Sequence, residues 1–332
     1  MSPARPRRRW PLVTAALVLI VLVSGPRTCV REPDVAAVRD AIPRDLAAIP
    51  AWLQRREEQA GAFDTAVAKR VHFATPAAPA RTSWSVVYLH GFSATRQETA
   101  PLSAQVAEAL GANLFETRLR GHGLPGDSLG NVAAGDWLTD AAEAFEIGRA
   151  LGDSVLTIGT STGGTLGVWL ATQSGADYDQ LRALVLISPN FGPRDQMAEV
   201  LTLPWANMLL PRLIPSREWT PRNDEQRRFW TVKYPSTSLF PMQALVEDTR
   251  ARSVTEYKVP TLAFFNPDDH VVDARRIKDW LDALALESRA PVKQVTITPT
   301  AGEDGHVLAG RIVSPSQTGG MRDRIVSFVR PP

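Results

Sequence analysis

Short apolar runs alternate with helical stretches along most of this chain, and that rhythm constrains the fold more than any single residue does. The runs of β type lie at residues 69–74, 84–89, 112–117, 154–159, 181–187, 260–265 and 292–298. Helical stretches fall at about 95–110, 136–151, 161–174, 273–286 and 318–330. Short, fully apolar strands separated by helices are strands buried on both faces. The pattern therefore predicts an α/β fold, a mostly parallel central sheet with helices on both sides. Sheets of this kind place ligand sites at the carboxyl ends of their strands. Residues about 190–257 break the rhythm. They are too long for a simple crossover and carry Trp205, Leu209, Trp219, Phe229 and Trp230 among many prolines. They read as a mostly helical cap inserted over the strand ends, with a few apolar side chains facing down to wall an acyl-binding site.

Composition narrows the function classes. The 332 residues are 44% hydrophobic and 22% charged, which is ordinary for a globular chain. A formal net charge of +2 gives no field that points to nucleic acid. The single cysteine, Cys29, rules out an internal disulfide. At the N-terminus Arg5, Arg7, Arg8 and Arg9 precede an apolar run from Trp10 to Val23. Positive charge ahead of an apolar segment orients a chain for export. Pro26 spoils the small-residue cleavage site, so residues 1–26 read as a signal anchor, with cleavage and secretion as the alternative. The body is then expected outside the cytoplasmic membrane, periplasmic or extracellular, and membrane-bound through this segment. Residues 27–65 read as a linker with one or two short helices, and 66–332 as the catalytic domain with its cap.

The sharpest motif is Gly159-Thr160-Ser161-Thr162-Gly163, between the strand SVLTIG and the helix TLGVWLAT. A G-x-S-x-G turn from strand to helix lifts the serine hydroxyl above the sheet, and the flanking glycines give the sharp turn room. Ser161 is the expected nucleophile. A serine hydroxyl needs a base to take its proton, most often histidine. Of His72, His90, His122, His270 and His306, only His270 and His306 follow the serine, as the order Ser, Asp or Glu, His of this turn requires, and His270 directly adjoins the proposed acid, which leaves His306. The acid should leave a strand, and FFNPDDHVVD offers Asp269, with Asp268 as the fallback and Asp273 as the cap of the next helix. The oxyanion of a tetrahedral intermediate needs two backbone donors. Thr162 N–H and Phe92 N–H, the latter in the His90-Gly91-Phe92 turn, are the expected pair.

The ordered set HGFSAT, RLRGHG, GTSTGG, NPDDHVV and GHVLAG resembles the α/β-hydrolase superfamily. Within it the chain looks most like the bacterial carboxylesterases, monoacylglycerol lipases and lysophospholipases, from about Lys69 to the C-terminus. The resemblance implies an eight-stranded sheet, a variable cap, no cofactor or metal, and hydrolysis of small, lipid-like esters. It supports Ser161, Asp269 and His306 as catalytic residues, with Phe92 and Thr162 as oxyanion donors. It also implies that the R-G-H-G turn shapes the site. The chain departs from the family in Thr160 and Thr162 around the serine and in Asn266 ahead of the acid. Two rivals remain. A peptidase would want an acidic group in the cap for a peptide amine, with Glu199, Glu218, Asp224 and Glu225 available. A non-catalytic binding protein on the same fold would be expected to lack the serine or the histidine.

Overall fold

The apolar runs pair edge to edge, and the inner ones hide both faces. A computed structural model describes Trp10, Ile20, Val21 and residues 23–61 and 64–330. The strands are β1 (Arg70–His72), β2 (Thr82–Leu89), β3 (Asn113–Glu116), β4 (Gly152–Thr160), β5 (Leu181–Ile187), β6 (Ser216–Glu218), β7 (Lys233–Pro235), β8 (Thr261–Phe265) and β9 (Val292–Thr296). Seven form one sheet in the order β1-β3-β2-β4-β5-β8-β9. β1 runs antiparallel to β3, and every other pair is parallel. The sheet thus has seven strands among the described residues where the family resemblance implies eight. The chain ahead of β1 is spent instead on α1 (Val35–Asp40) and α2 (Ile49–Gln59).

Side chains alternate across the sheet with the period of two that a pleated strand imposes. Val87, Leu89 and Val155 enter one core layer, while Val86, Tyr88, Leu156 and Ile158 enter the other. The first layer is closed by α4 (Ala134–Leu151), α5 (Thr162–Ala171) and α9 (Ala274–Glu287), the second by α3 (Leu102–Leu110) and α10 (Pro315–Val329). Ile49 and Leu53 of α2 are buried in the first layer too. Helix α3 begins seven residues later than the expected 95–110 stretch. Pro101 pushes the residue before it out of the helical region, and Thr95–Ala100 are turns instead.

The cap holds α6 (Ala206–Leu213), the β6–β7 hairpin, α7 (Asp224–Phe229) and α8 (Leu239–Arg250), so it is helical with one added antiparallel pair. The expected signal anchor lies outside the described residues except for Trp10, Ile20, Val21 and residues 23–26. Among the described residues no helix is long and apolar enough to cross a membrane.

Candidate active site

β4 ends directly beneath Ser161, whose φ of 52° and ψ of −116° put a non-glycine residue in a strained region of backbone space. The neighbouring glycines make the turn sterically feasible. A Cβ on Gly159 would overlap the Gly163 carbonyl, and one on Gly163 would overlap the Leu89 carbonyl. Ser161 N–H donates to Ile187 O at 2.9 Å, so the turn is also tied to the neighbouring strand. The helix that follows aims its positive N-terminal end at the serine.

Asp269 and His306 leave the ends of neighbouring strands and meet. His306 Nδ1 lies 2.8 Å from Asp269 Oδ2. The other carboxylate oxygen accepts from Val271 N–H at 2.8 Å and Val272 N–H at 3.1 Å. Burial by itself would raise the Asp269 carboxyl, but the His306 charge and these hydrogen bonds hold it below the ordinary range. For His306 burial would lower the imidazolium, yet the Asp269 carboxylate, with Asp304 and Glu98 further off, holds it above the ordinary value. Asp268 is exposed and donates its N–H to Asn266 Oδ1 at 3.0 Å. Asp273 caps α9 through Arg275 N–H at 3.0 Å.

Ser161 and His306 line one cavity of about 390 Å³, within the usual size of a small-molecule site. The two are not hydrogen-bonded: among the described residues the Ser161 hydroxyl has no such partner. Phe92 and Thr162 line the same cavity, and their backbone N–H groups take part in none of the described hydrogen bonds. Above them the cap supplies Trp219, Trp230, Tyr234, Leu239 and Met242, an apolar wall. The Phe92 ring packs edge-on against His122 of the R-G-H-G turn, Trp137 and Tyr234, at centroid distances of 5.9, 6.0 and 5.2 Å.

The remaining histidines are engaged elsewhere. Leu119 N–H donates to His90 Nε2 at 3.0 Å, so His90 must donate from Nδ1, to Gly91 O at 2.9 Å. That carbonyl shares its peptide plane with Phe92 N–H, so His90 sets which way the Phe92 donor points. Burial lowers the imidazolium of His90 well below its ordinary value and that of His122 to about 4. His72 pairs with Glu116 at 3.2 Å, and His270 is exposed on the cavity wall.

Three residues that sequence reasoning passed over as site residues hold the loops together. Asn266 Nδ2 donates to Gly305 O at 3.0 Å, bridging the acid and histidine loops. Asp304 Oδ1 accepts from His306 N–H at 2.7 Å and Val307 N–H at 2.8 Å. Its Oδ2 accepts from Arg222 Nε of the cap at 3.0 Å. Glu98, buried, accepts from Gly91 N–H at 2.6 Å. Asn266 had a signal, since it stands where the family commonly has glycine. The other two had none.

A mostly parallel sheet, a strained serine turn and, on the same cavity, a histidine paired with Asp269 define an α/β hydrolase. Residues 80–299 match the family described as serine aminopeptidase, S33, and the chain belongs to that family. It is 25% identical over 187 residues to the thermostable monoacylglycerol lipase of Bacillus sp. (strain H-257), spanning 56% of this chain and 71% of the relative. In three dimensions it is similar to a structure from LipS and LipT, two metagenome-derived lipolytic enzymes. The TM-score is 0.63 at 17% identity, over 82% of this chain and 100% of that one. It is also similar to the monoacylglycerol lipase of Paleococcus ferrophilus, with a TM-score of 0.57 at 15% identity, over 79% and 97%.

Proposed function

We propose that this chain is a serine hydrolase of carboxylic esters, with Ser161 as nucleophile, His306 as general base and Asp269 as the acid that orients the imidazole. The observation that carries this reading is the His306–Asp269 hydrogen bond on the wall of the cavity that also holds Ser161. Asp269 occupies Nδ1, which leaves Nε2 for the serine proton. Ser161 Oγ attacks the ester carbonyl carbon while His306 Nε2 takes the hydroxyl proton. The carbonyl electron pair moves to oxygen, where the N–H groups of Phe92 and Thr162 receive it. The alkoxide departs with the proton from His306. Water, deprotonated by His306, then releases the carboxylic acid and restores the serine hydroxyl. Lipid-like esters suit the apolar cap wall, and they are the kind of substrate that the names of the monoacylglycerol lipase relatives imply. An N-terminal anchor with the body exported would keep the enzyme near such substrates.

The family description raises a second reading, a peptidase. An amine-binding carboxylate would have to face the cavity. Among its described lining residues the one carboxylate is Asp304, already committed to Arg222 and two backbone N–H groups. Glu199, Glu218, Asp224 and Glu225 are not among them. The ester reading is therefore favoured. A panel of nitrophenyl esters beside aminoacyl amides tests it, together with fluorophosphonate labelling of the wild type and Ser161→Ala. Ester turnover and labelling that vanish in S161A support it. Amide turnover exceeding ester turnover, or labelling that persists in S161A, overturns it.

A further inference from the structure

The oxyanion loop crosses Ser161 on a residue without a side chain. A Cβ on Gly91 would sit 3.2 Å from Ser161 Cβ and 3.1 Å from Glu98 Oε2. Glycine permits this approach but leaves its backbone free to turn, and backbone freedom in an oxyanion site costs rate. Something must therefore fix the two peptides that meet at Gly91. His90 holds the carbonyl on one side. On the other, Gly91 N–H donates to Glu98 Oε1 at 2.6 Å, a short charge-assisted bond when the carboxyl is ionised. The same oxygen accepts from Tyr88 OH at 2.8 Å, and Tyr88 OH lies 3.2 Å from Thr160 Oγ1, one residue before Ser161. A buried chain thus runs from the oxyanion loop to the nucleophile turn: Gly91, Glu98, Tyr88, Thr160.

Resting on the ester-hydrolase reading above, we infer that Glu98 is a positioning residue for the reaction: its carboxyl locks the His90–Gly91 peptide and, through Tyr88, keeps the Phe92 donor in register with Ser161. Glu98 touches neither substrate nor the reacting atoms. It is 2% exposed, and among the described residues no cationic side chain is bonded to it; its partners there are a peptide N–H and a phenol. Burial pushes its carboxyl up to about 7 against the pull of Gly91 N–H, Tyr88 OH and the His306 charge, the groups that face it. A buried acid so poorly compensated detracts from stability, which argues for a role in the site.

The test uses the full chain and nitrophenyl butyrate. Glu98→Ala is expected to lower kcat by about 10- to 100-fold with KM within about twofold, since the lost register matters only when charge develops on the carbonyl oxygen. Glu98→Gln keeps an acceptor for Gly91 N–H and should restore kcat to within about threefold of wild type. Unchanged kcat in E98A, or E98Q as impaired as E98A, overturns the inference. Should E98A fail to fold, Tyr88→Phe takes its place. It removes one donor and the link to Thr160, and it is expected to lower kcat, again at constant KM. A Y88F enzyme with wild-type kcat overturns the inference. S161A separates the two levels: if it still turns over ester, the site reading itself fails, whereas an inactive S161A beside a fully active E98A condemns the Glu98 role alone.

Discussion

Arg118 and Glu57 meet through two hydrogen bonds, Nε to Oε2 at 2.6 Å and Nη2 to Oε1 at 2.9 Å, with both side chains buried. The pair joins α2 to the R-G-H-G turn, because Arg118 Nη1 also donates to His122 O at 3.0 Å. Helix α2 therefore braces the turn whose histidine packs on Phe92. Removing one member of a buried ion pair leaves the other charge poorly compensated, which costs about 3–5 kcal/mol. Glu57→Ala is expected to lose about that much stability in urea unfolding. A loss below about 1 kcal/mol would show that Arg118 is compensated without Glu57.

On the proposed mechanism Asp269 governs the base. The imidazolium of His306 is held above its ordinary value, so kcat/KM in the wild type should rise with pH through an apparent pKa above about 6.5, as the neutral imidazole appears. In Asp269→Asn burial is opposed only by the more distant Asp304 and Glu98, and that limb should move to lower pH. Turnover should fall by about 10⁴-fold with the tautomer no longer fixed. A pH–rate profile of D269N whose acid limb stays in place would contradict this account.

Acid should weaken the fold through His122. Its folded-state imidazolium pKa is lowered to about 4, so between pH 6.5 and 4 the unfolded chain binds a proton that the folded chain refuses. Stability from this group is fully present above about pH 6.5 and is lost as pH falls towards 4, about 2 kcal/mol of it by pH 5. The stability gap between wild type and His122→Asn, from urea midpoints, should narrow by about that amount between pH 7 and pH 5. His306, shifted the other way, cancels in the comparison. A gap that does not change with pH would count against a neutral buried His122.

The cavity should select on acyl length. Met242 and Leu239 wall it on the cap side, so medium acyl chains should outperform acetyl. Met242→Trp would fill part of the space. It should lower kcat/KM for octanoyl esters by about tenfold while leaving acetyl esters within about twofold. Acetyl as the best wild-type substrate would contradict the apolar wall's proposed use.

Much of this architecture was legible because local physics dictates it. The inner strands β2, β4, β5 and β8 had to be apolar on both faces, and the turn around Ser161 had to be bare at 159 and 163 whatever the rest of the chain did. Asp269 and His306 could be picked out because each leaves a strand end, where a parallel sheet gathers loops. What escaped depends on loops distant in sequence finding each other. Glu98 lies in a stretch that reads as helix until Pro101 is given its full weight. Asp304 looks like any loop acid until Arg222, 82 residues earlier, reaches it. Glu57 lies in a segment that reads only as a linker with short helices, and nothing nearby in sequence announces Arg118.

The Arg222–Asp304 contact fastens the cap to the loop that carries His306. One oxygen of that carboxylate is held by the cap and the other by the N–H groups of His306 and Val307. On the proposed mechanism, whatever displaces Arg222 is therefore felt in the backbone beneath the imidazole.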